Sequence, residues 1–264
     1  MAEPSLAGSA ATTTDAWLAG RLRLIQPAKG HRVGSDAALL AAAAPAAARV
    51  ADIGAGVGAV GLAIALRYLA VRVDLVEIDP ELASLAALNA AANGLAERVR
   101  VIIADVTSPP SRRAGGLSDG EADLVTTNPP FFAPTDVRAS PQPGRAQAHV
   151  LPEPPSEGQS GLAAWIKGAL ALLAPGGRFV MIHRPDSLAA ILAAFGGRLG
   201  AIAILPVHPR AEAPAHRLLI AGIKGARSPL AIRPPIVLHD AAGGFTPEAE
   251  ALHRGEAAID WGAG

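Results

Sequence analysis

Short apolar runs alternate with longer amphipathic ones along most of the chain. Residues 50–53 precede 57–69, residues 71–78 precede 80–92, and the runs 99–103 and 123–127 follow; 162–173 then leads into 178–182. Runs of four to eight apolar residues read as buried strands, and the longer periodic segments as helices. Strand alternating with helix predicts a parallel sheet covered on both faces. The punctuation agrees: Asp79 can cap a helix with Pro80 at its first position, Asn93-Gly94 can close it, and Pro175-Gly176-Gly177 separates the next helix from its strand. Residues 201–205 and 218–223 read as two further strands around a loop, which gives a sheet of about seven strands in a three-layer α/β/α arrangement. Residues 1–16 carry no apolar period and read as a disordered start, with one domain over 17–264. Residues 107–121 and 133–160 are rich in Pro, Gly and Ser; the first reads as a flexible insertion and the second as a substrate lid.

Composition narrows the chemistry. Half of the 264 residues are apolar, enough for one sizeable core, and the absence of cysteine excludes disulfides, thiolate zinc sites and cysteine nucleophiles. The seven histidines are scattered without ligand spacing, so no metal is expected. Neither a signal peptide nor a membrane span is apparent, since the Ala-rich run 41–48 is short and broken by Pro45; a cytoplasmic protein is expected. Charges balance at 23 of each sign, but unevenly. Residues 178–234 hold eight Lys/Arg against two acids, a modest pointer to nucleic acid beside the plainer reading of solvated surface arginines.

After the first strand comes Asp52-Ile53-Gly54-Ala55-Gly56-Val57-Gly58, opening a helix. Glycines there permit a tight turn and close approach of a ligand, and a helix N-terminus offers free N–H groups. A nucleotide cofactor fits. Gly56, Gly58 and Gly61 also satisfy the G-x-G-x-x-G pattern of dinucleotide enzymes, so the glycines alone do not choose between cofactors. Three acids do. Asp52 precedes the glycines and suits a cationic aminoacyl group, Glu77 ends the second strand where ribose hydroxyls would lie, and Asp105 follows the third strand near an adenine amine. Each alone is as well read as a helix cap or surface acid, but together they favour S-adenosylmethionine.

The fourth strand runs into Asn128-Pro129-Pro130-Phe131-Phe132. Two prolines hold the backbone extended, so the Asn128 side-chain oxygen and the Pro129 carbonyl can both act as acceptors toward an NH₂ group. Holding both hydrogens of a conjugated amine favours a pyramidal nitrogen, whose lone pair is then available for in-line transfer. An aromatic at Phe131 can stack on a flat substrate. The plainer reading is a proline-stiffened turn with two core phenylalanines.

This order of motifs resembles the class I S-adenosylmethionine-dependent methyltransferases that act on exocyclic or amide nitrogens. The segment from Lys29 to Leu40 and the tail Val237-Leu238-His239-Asp240 with Gly244-Phe245-Thr246-Pro247-Glu248 are similar to the bacterial enzymes that methylate adenine N6 in valine tRNA beside the anticodon. The resemblance spans roughly residues 20–250. It implies a Rossmann-like sheet with its last hairpin strand antiparallel and S-adenosylmethionine as cofactor. The cofactor would lie against Gly34, Asp52, Gly54, Gly56, Gly58, Glu77, Asp105 and Asn128. Asn128, Pro129, Pro130 and Phe131 would form the catalytic tetrapeptide. Phe132, Arg138, Arg145 and His149 would contact a structured RNA, tRNA first, with no membrane and no metal. Val33–Asp36 would cover the cofactor, or Ser35 or Asp36 would simply cap a helix. The sequence departs from the pattern where Phe131 replaces a tyrosine, and where Arg145, Gln147 and His149 lack a following acid. Guanine N2 and a protein glutamine amide are alternative acceptors. A non-catalytic nucleotide- or RNA-binding module and a nicotinamide enzyme are readings of another class.

Overall fold

Each apolar run of the pattern becomes a strand of one sheet, and the amphipathic runs lie on it as helices. In the computed structural model the described residues are 11–30, 32–130 and 161–262. In chain order they form β1 (Thr12–Trp17), β2 (Leu22–Pro27), α1 (Ser35–Ala43), β3 (Arg49–Ile53), α2 (Ala59–Arg67), β4 (Arg72–Glu77), α3 (Pro80–Ala92), β5 (Val99–Ile103), α4 (Pro109–Ala114) and β6 (Ala122–Thr127). Then follow α5 (Gly161–Leu172), β7 (Leu173–His183), α6 (Leu188–Phe195), β8 (Leu199–His208), β9 (Arg217–Lys224), β10 (Ala231–Ile232), β11 (Ile236–Val237) and α7 (Pro247–His253).

The main sheet has the order β10-β8-β9-β7-β6-β3-β4-β5, with β11 beside β8. Among its described strands only β9 runs antiparallel, pairing with β7 and β8. Seven long strands match the expected number, and the two short ones extend the β8 edge. Strand order reverses at β3, which has β4 on one side and β6 on the other. A crevice outside the carboxyl ends of β3 and β6 is where a sheet of this kind binds its ligand.

Alternation along each strand divides the core. Val180 and Ile182 of β7 pack with Leu39, Leu62 and Ala86 of α1, α2 and α3, whereas Phe179 and Met181 pack with Ile166 and Ile191 of α5 and α6. A helix leaves its last carbonyls without intrahelical partners. At the end of α1 these are met by distant groups: Arg67 Nη1 donates to Ala41 O at 2.7 Å, Ile259 N to Ala42 O at 2.8 Å, Trp261 Nε1 to Ala43 O at 2.8 Å, and the Tyr68 hydroxyl to Ala44 O at 3.1 Å. The C-terminal segment thereby fixes the helix that leads into the site.

Four expectations are corrected here. Residues 12–16 are not disordered but belong to β1, in register with β2 from Thr12↔Pro27 to Trp17↔Leu22. Residues 107–121 are not wholly a flexible loop. Ser108 caps α4, two prolines start it, and the buried Arg112 ties it down by donating to Val106 O at 2.8 Å. Residues 175–177 fall within β7, where the pairing with β6 shifts register between Ala122↔Leu173 and Leu124↔Arg178. Finally, α1 is capped by neither Ser35 nor Asp36; Gly34 holds that position, without a side-chain bond. The expected lid at 133–160 lies outside the described residues.

Candidate functional site

The ends of β3, β4, β5 and β6 bring most of the expected residues together. Gly54, Gly56 and Gly58 all have positive φ, at 70°, 56° and 88°, a region where other residues are strained. Their surroundings differ. A Cβ on Gly54 would lie 2.9 Å from Trp165 Cζ2, one on Gly58 would lie 2.8 Å from Leu75 Cδ1, and one on Gly56 would meet nothing within 4 Å. Gly54 and Gly58 are therefore also required by packing, while Gly56 faces open space. Gly61, the third glycine of the alternative motif, packs α2 against β4: its Cβ would stand 2.2 Å from Leu75 Cδ2.

The three acids take graded roles. Asp52 is 2% exposed, and its oxygens accept from Gly61 N at 2.9 Å and from the Thr126 hydroxyl at 3.0 Å. Where the sequence suggested a direct contact with a cofactor amine, the structure engages this carboxylate in joining β3, α2 and β6. Glu77 Oε2 accepts from Gly56 N at 2.7 Å, and Oε1 accepts from Ile78 N and Asp79 N at 2.8 and 2.9 Å, which clasps the glycine loop to the end of β4. Asp105 Oδ1 accepts from the Thr107 backbone and hydroxyl at 2.8 and 2.7 Å. Asp105 also lines a small, largely apolar cavity with Ile53, Gly54, Val76, Ile78, Ala104, Val106 and Trp165.

Burial raises the carboxyls of Asp52 and Glu77 above their ordinary range, Asp52 to about 6, against the hydrogen bonds that favour their charged forms. The folded value of Asp52 exceeds the unfolded value of 3.8, so the folded chain holds the proton longer. Stability from this group is fully present below pH about 4 and is lost as pH rises through about 6, a cost of about 3 kcal/mol at neutral pH. Asp52→Asn is therefore expected to be at least as stable as the parent at pH 7, with the difference closing toward pH 4, and to keep cofactor affinity within about threefold. Urea unfolding at both pH values and calorimetric titration check this; a variant that folds but no longer binds cofactor would return Asp52 to direct contact.

Asn128, Pro129 and Pro130 continue from β6. Thr127 Oγ1 donates to Ile53 O at 2.9 Å and accepts from Trp165 Nε1 at 3.0 Å, and Thr126 reaches Asp52, so two buried hydroxyls moor the segment to the cofactor strand. Asn128 is half-buried and its amide has no hydrogen-bond partner among the described residues. Phe131, Phe132, Arg138, Arg145 and His149 lie outside the described residues, as does His31. Gly34 and Val33 open α1, and Val33 N donates to Gln26 Oε1 at 3.0 Å. Asp36 pairs with Arg217 at 2.8 Å.

Sequence reasoning passed over Trp165, Thr126 and Thr127. The hydroxyls directly before Asn128 carried a signal, since a Thr at a buried strand end needs a partner; Trp165 stands in a helix far along the chain and carried none. The basic stretch 178–234 does not gather on one face. Register places Arg178, Arg198 and Lys224 at or toward the end of the sheet opposite Arg217. Arg198 donates to carbonyls at the end of α6, Lys224 to Leu170 O of α5 and Leu173 O of β7, Arg233 donates to Trp261 O, and Arg184 pairs with Asp186. Among the described residues no three metal-ligating side chains come together, and no helix is long and apolar enough to cross a membrane.

Sheet order, glycine loop and strand-end acids define a class I S-adenosylmethionine-dependent methyltransferase. The family model of the methyltransferase small domain matches residues 31–142. A protein of Porphyromonas gingivalis named tRNA1(Val) (adenine(37)-N6)-methyltransferase is 30% identical over 89% of this chain and 92% of its own. One of the same name from Erwinia tasmaniensis is 41% identical, but over 42% of this chain and 44% of its own. A release factor glutamine methyltransferase of Cereibacter sphaeroides is 27% identical over 70% of this chain and 65% of its own. The crystal structure of an Agrobacterium tumefaciens protein described as a "predicted O-methyltransferase" superposes with a TM-score of 0.69 at 34% identity, over 85% of this chain and 98% of that one. The chain belongs to the family of S-adenosylmethionine-dependent N-methyltransferases.

The residues present fit that cofactor. The apolar residues that line the small pocket beside Asp105 suit the face of a purine, and Glu77 ends β4 next to β5 in the sheet. The first turn of α2 has N–H groups without intrahelical partners, suited to a carboxylate. Bound there, S-adenosylmethionine supplies an electrophilic sulfonium methyl group.

Proposed function

We propose that this protein methylates the exocyclic N6 of an adenine in structured RNA, with tRNA as the substrate and the cytoplasm as its place of action. The observation that carries this reading is the Asn128-Pro129-Pro130 segment, moored by Thr126 and Thr127 beside the cofactor strand and presenting an amide with no partner among the described residues. The Asn128 side-chain oxygen and the Pro129 carbonyl accept the two hydrogens of the target amine, which leaves its lone pair directed at the methyl group. Phe131 and Phe132 stack on an extruded base, and Arg138, Arg145 and His149 contact RNA. Asp105 and Glu77 hold adenine and ribose, and Gly34, Gly54, Gly56 and Gly58 line the path of the methionine part. The names borne by two relatives aligned over 89% and 82% of this chain support adenine in tRNA.

A second reading, methylation of a glutamine amide in a release factor, rests on the relative of that name. A planar amide presents the same two hydrogens, so the tetrapeptide serves both. The test is competition: purified protein with methyl-labelled S-adenosylmethionine is given unmodified tRNA transcripts and release factor together. Label in the tRNA is expected; label confined to protein would overturn the RNA reading.

A further inference from the structure

The side chain of Asn89 ties the β1–β2 hairpin to the glycine loop, and no sequence motif marks it. It is fully buried in α3. Its Oδ1 accepts from Ile25 N at 2.7 Å, and its Nδ2 donates to Ile25 O and to Val57 O, each at 2.9 Å. One turn further on, Asn93 Oδ1 accepts from Arg23 N at 2.9 Å and Nδ2 donates to Arg23 O at 2.8 Å. The match is geometric. Four helical residues rise roughly 6.0 Å and two strand residues roughly 6.6 Å, so a pair of asparagines at i and i+4 can satisfy alternate residues of the free edge of β2. Helix α3 in this way completes the hairpin as a third strand would.

Only Asn89 reaches the glycine loop as well. The peptide joining Val57 to Gly58 is planar, so fixing its oxygen fixes its N–H. Asn89 holds the oxygen, and Gly58 N donates to Ala55 O at 2.8 Å. Gly58 sits at φ 88°, and because glycine also tolerates negative φ, nothing in its own conformation prevents the peptide from turning over. On its other side the hairpin controls the segment before α1: the buried Gln26 accepts from Val33 N and donates to Asp15 at 2.8 Å, and Asp15 also accepts from Arg32 at 2.7 Å.

We propose that Asn89 is a positioning residue for S-adenosylmethionine binding, holding the Val57–Gly58 peptide and, through the β1–β2 hairpin, the segment 32–34 in one arrangement. It acts through the backbone of the hairpin and of the glycine loop. Asn93 performs the same service for the hairpin without touching the loop, and so serves as a matched control.

The test is calorimetric titration of S-adenosylhomocysteine into Asn89→Ala and Asn93→Ala proteins, with thermal midpoints measured in parallel. Asn89→Ala is expected to weaken affinity about ten- to hundredfold, because it leaves Val57 O unpaired, while Asn93→Ala changes it less than about threefold. Equal affinity losses in the two variants, or none in Asn89→Ala, would overturn the proposal. Should Asn89→Ala fail to fold, amide exchange in the unaltered protein decides. Adding S-adenosylhomocysteine is expected to slow exchange at Ile25 and Val33 together with the glycine loop. Slowing confined to the loop would contradict the coupling.

Discussion

Asn128→Ala is expected to lower kcat for methyl transfer by about a thousandfold while leaving cofactor affinity within about threefold. The size of the effect follows from what the side chain does and does not do. Its amide bonds to no described residue, so truncation removes no structural hydrogen bond and strands no buried partner. The mooring of the segment rests instead on Thr126 and Thr127, which the substitution leaves in place. What is lost is an acceptor needed when the target nitrogen becomes pyramidal, so the loss appears in kcat more than in KM. Single-turnover transfer to saturating RNA, with calorimetry of the cofactor, separates the two quantities. A variant that keeps full turnover would show the segment to be a proline-stiffened turn and no more.

Gly168→Ala is expected to be among the most damaging single-methyl changes in the described core. Gly168 lies in α5 against the chain that leaves β5, and an added Cβ would stand 2.1 Å from the Val106 carbonyl oxygen and 2.9 Å from its carbon. Both are backbone atoms, and Val106 O already accepts from the buried Arg112. Neither side can yield cheaply, so α5 must move off the segment 104–107. Overpacking of this kind costs about 3 kcal/mol or more, which for a chain of this size lowers the thermal midpoint by about 6–12 °C. The same displacement spreads the cavity lined by Asp105, Val106 and Trp165, so weaker cofactor binding should accompany the lower midpoint. A change in midpoint of less than about 2 °C would mean that α5 has slack against this segment.

The middle of the chain was legible because its signals are local. From Arg49 to Ile103, and again over β6, strands are apolar runs, Asp79-Pro80 starts a helix, and glycines with positive φ mark the loop, so pattern and structure coincide within a few residues. Strand β1 and helix α4 were not legible. Strand β1 alternates half-buried with exposed positions and is rich in Thr, so it has no apolar period; it is a strand because β2 is held by Asn89 and Asn93, residues more than sixty positions away. Helix α4 is a short capped helix of six residues whose hold is the buried Arg112, which in sequence looks like a surface charge.

The candidate site divides in the same way. The residue types pointed to the strand ends correctly, but the tasks of the acids depend on where each carboxylate turns. Asp52 and Glu77 spend hydrogen-bonding capacity on backbone N–H groups of the loop and helix they support, which only the packed structure discloses. Asp105 lies on the cavity wall, two residues beyond the end of β5. Trp165 joins that wall from the next face of the molecule, through a hydrogen bond to Thr127 that no spacing rule anticipates.

Identity of the methylated nucleoside tests the central claim most directly. Unmodified tRNA transcripts incubated with the protein and deuterated-methyl S-adenosylmethionine are digested completely and the nucleosides separated by mass spectrometry. Labelled N6-methyladenosine, lost with Asn128→Ala, is the expected product. Labelled N2-methylguanosine, or RNA without label while the protein binds its cofactor, would contradict the account.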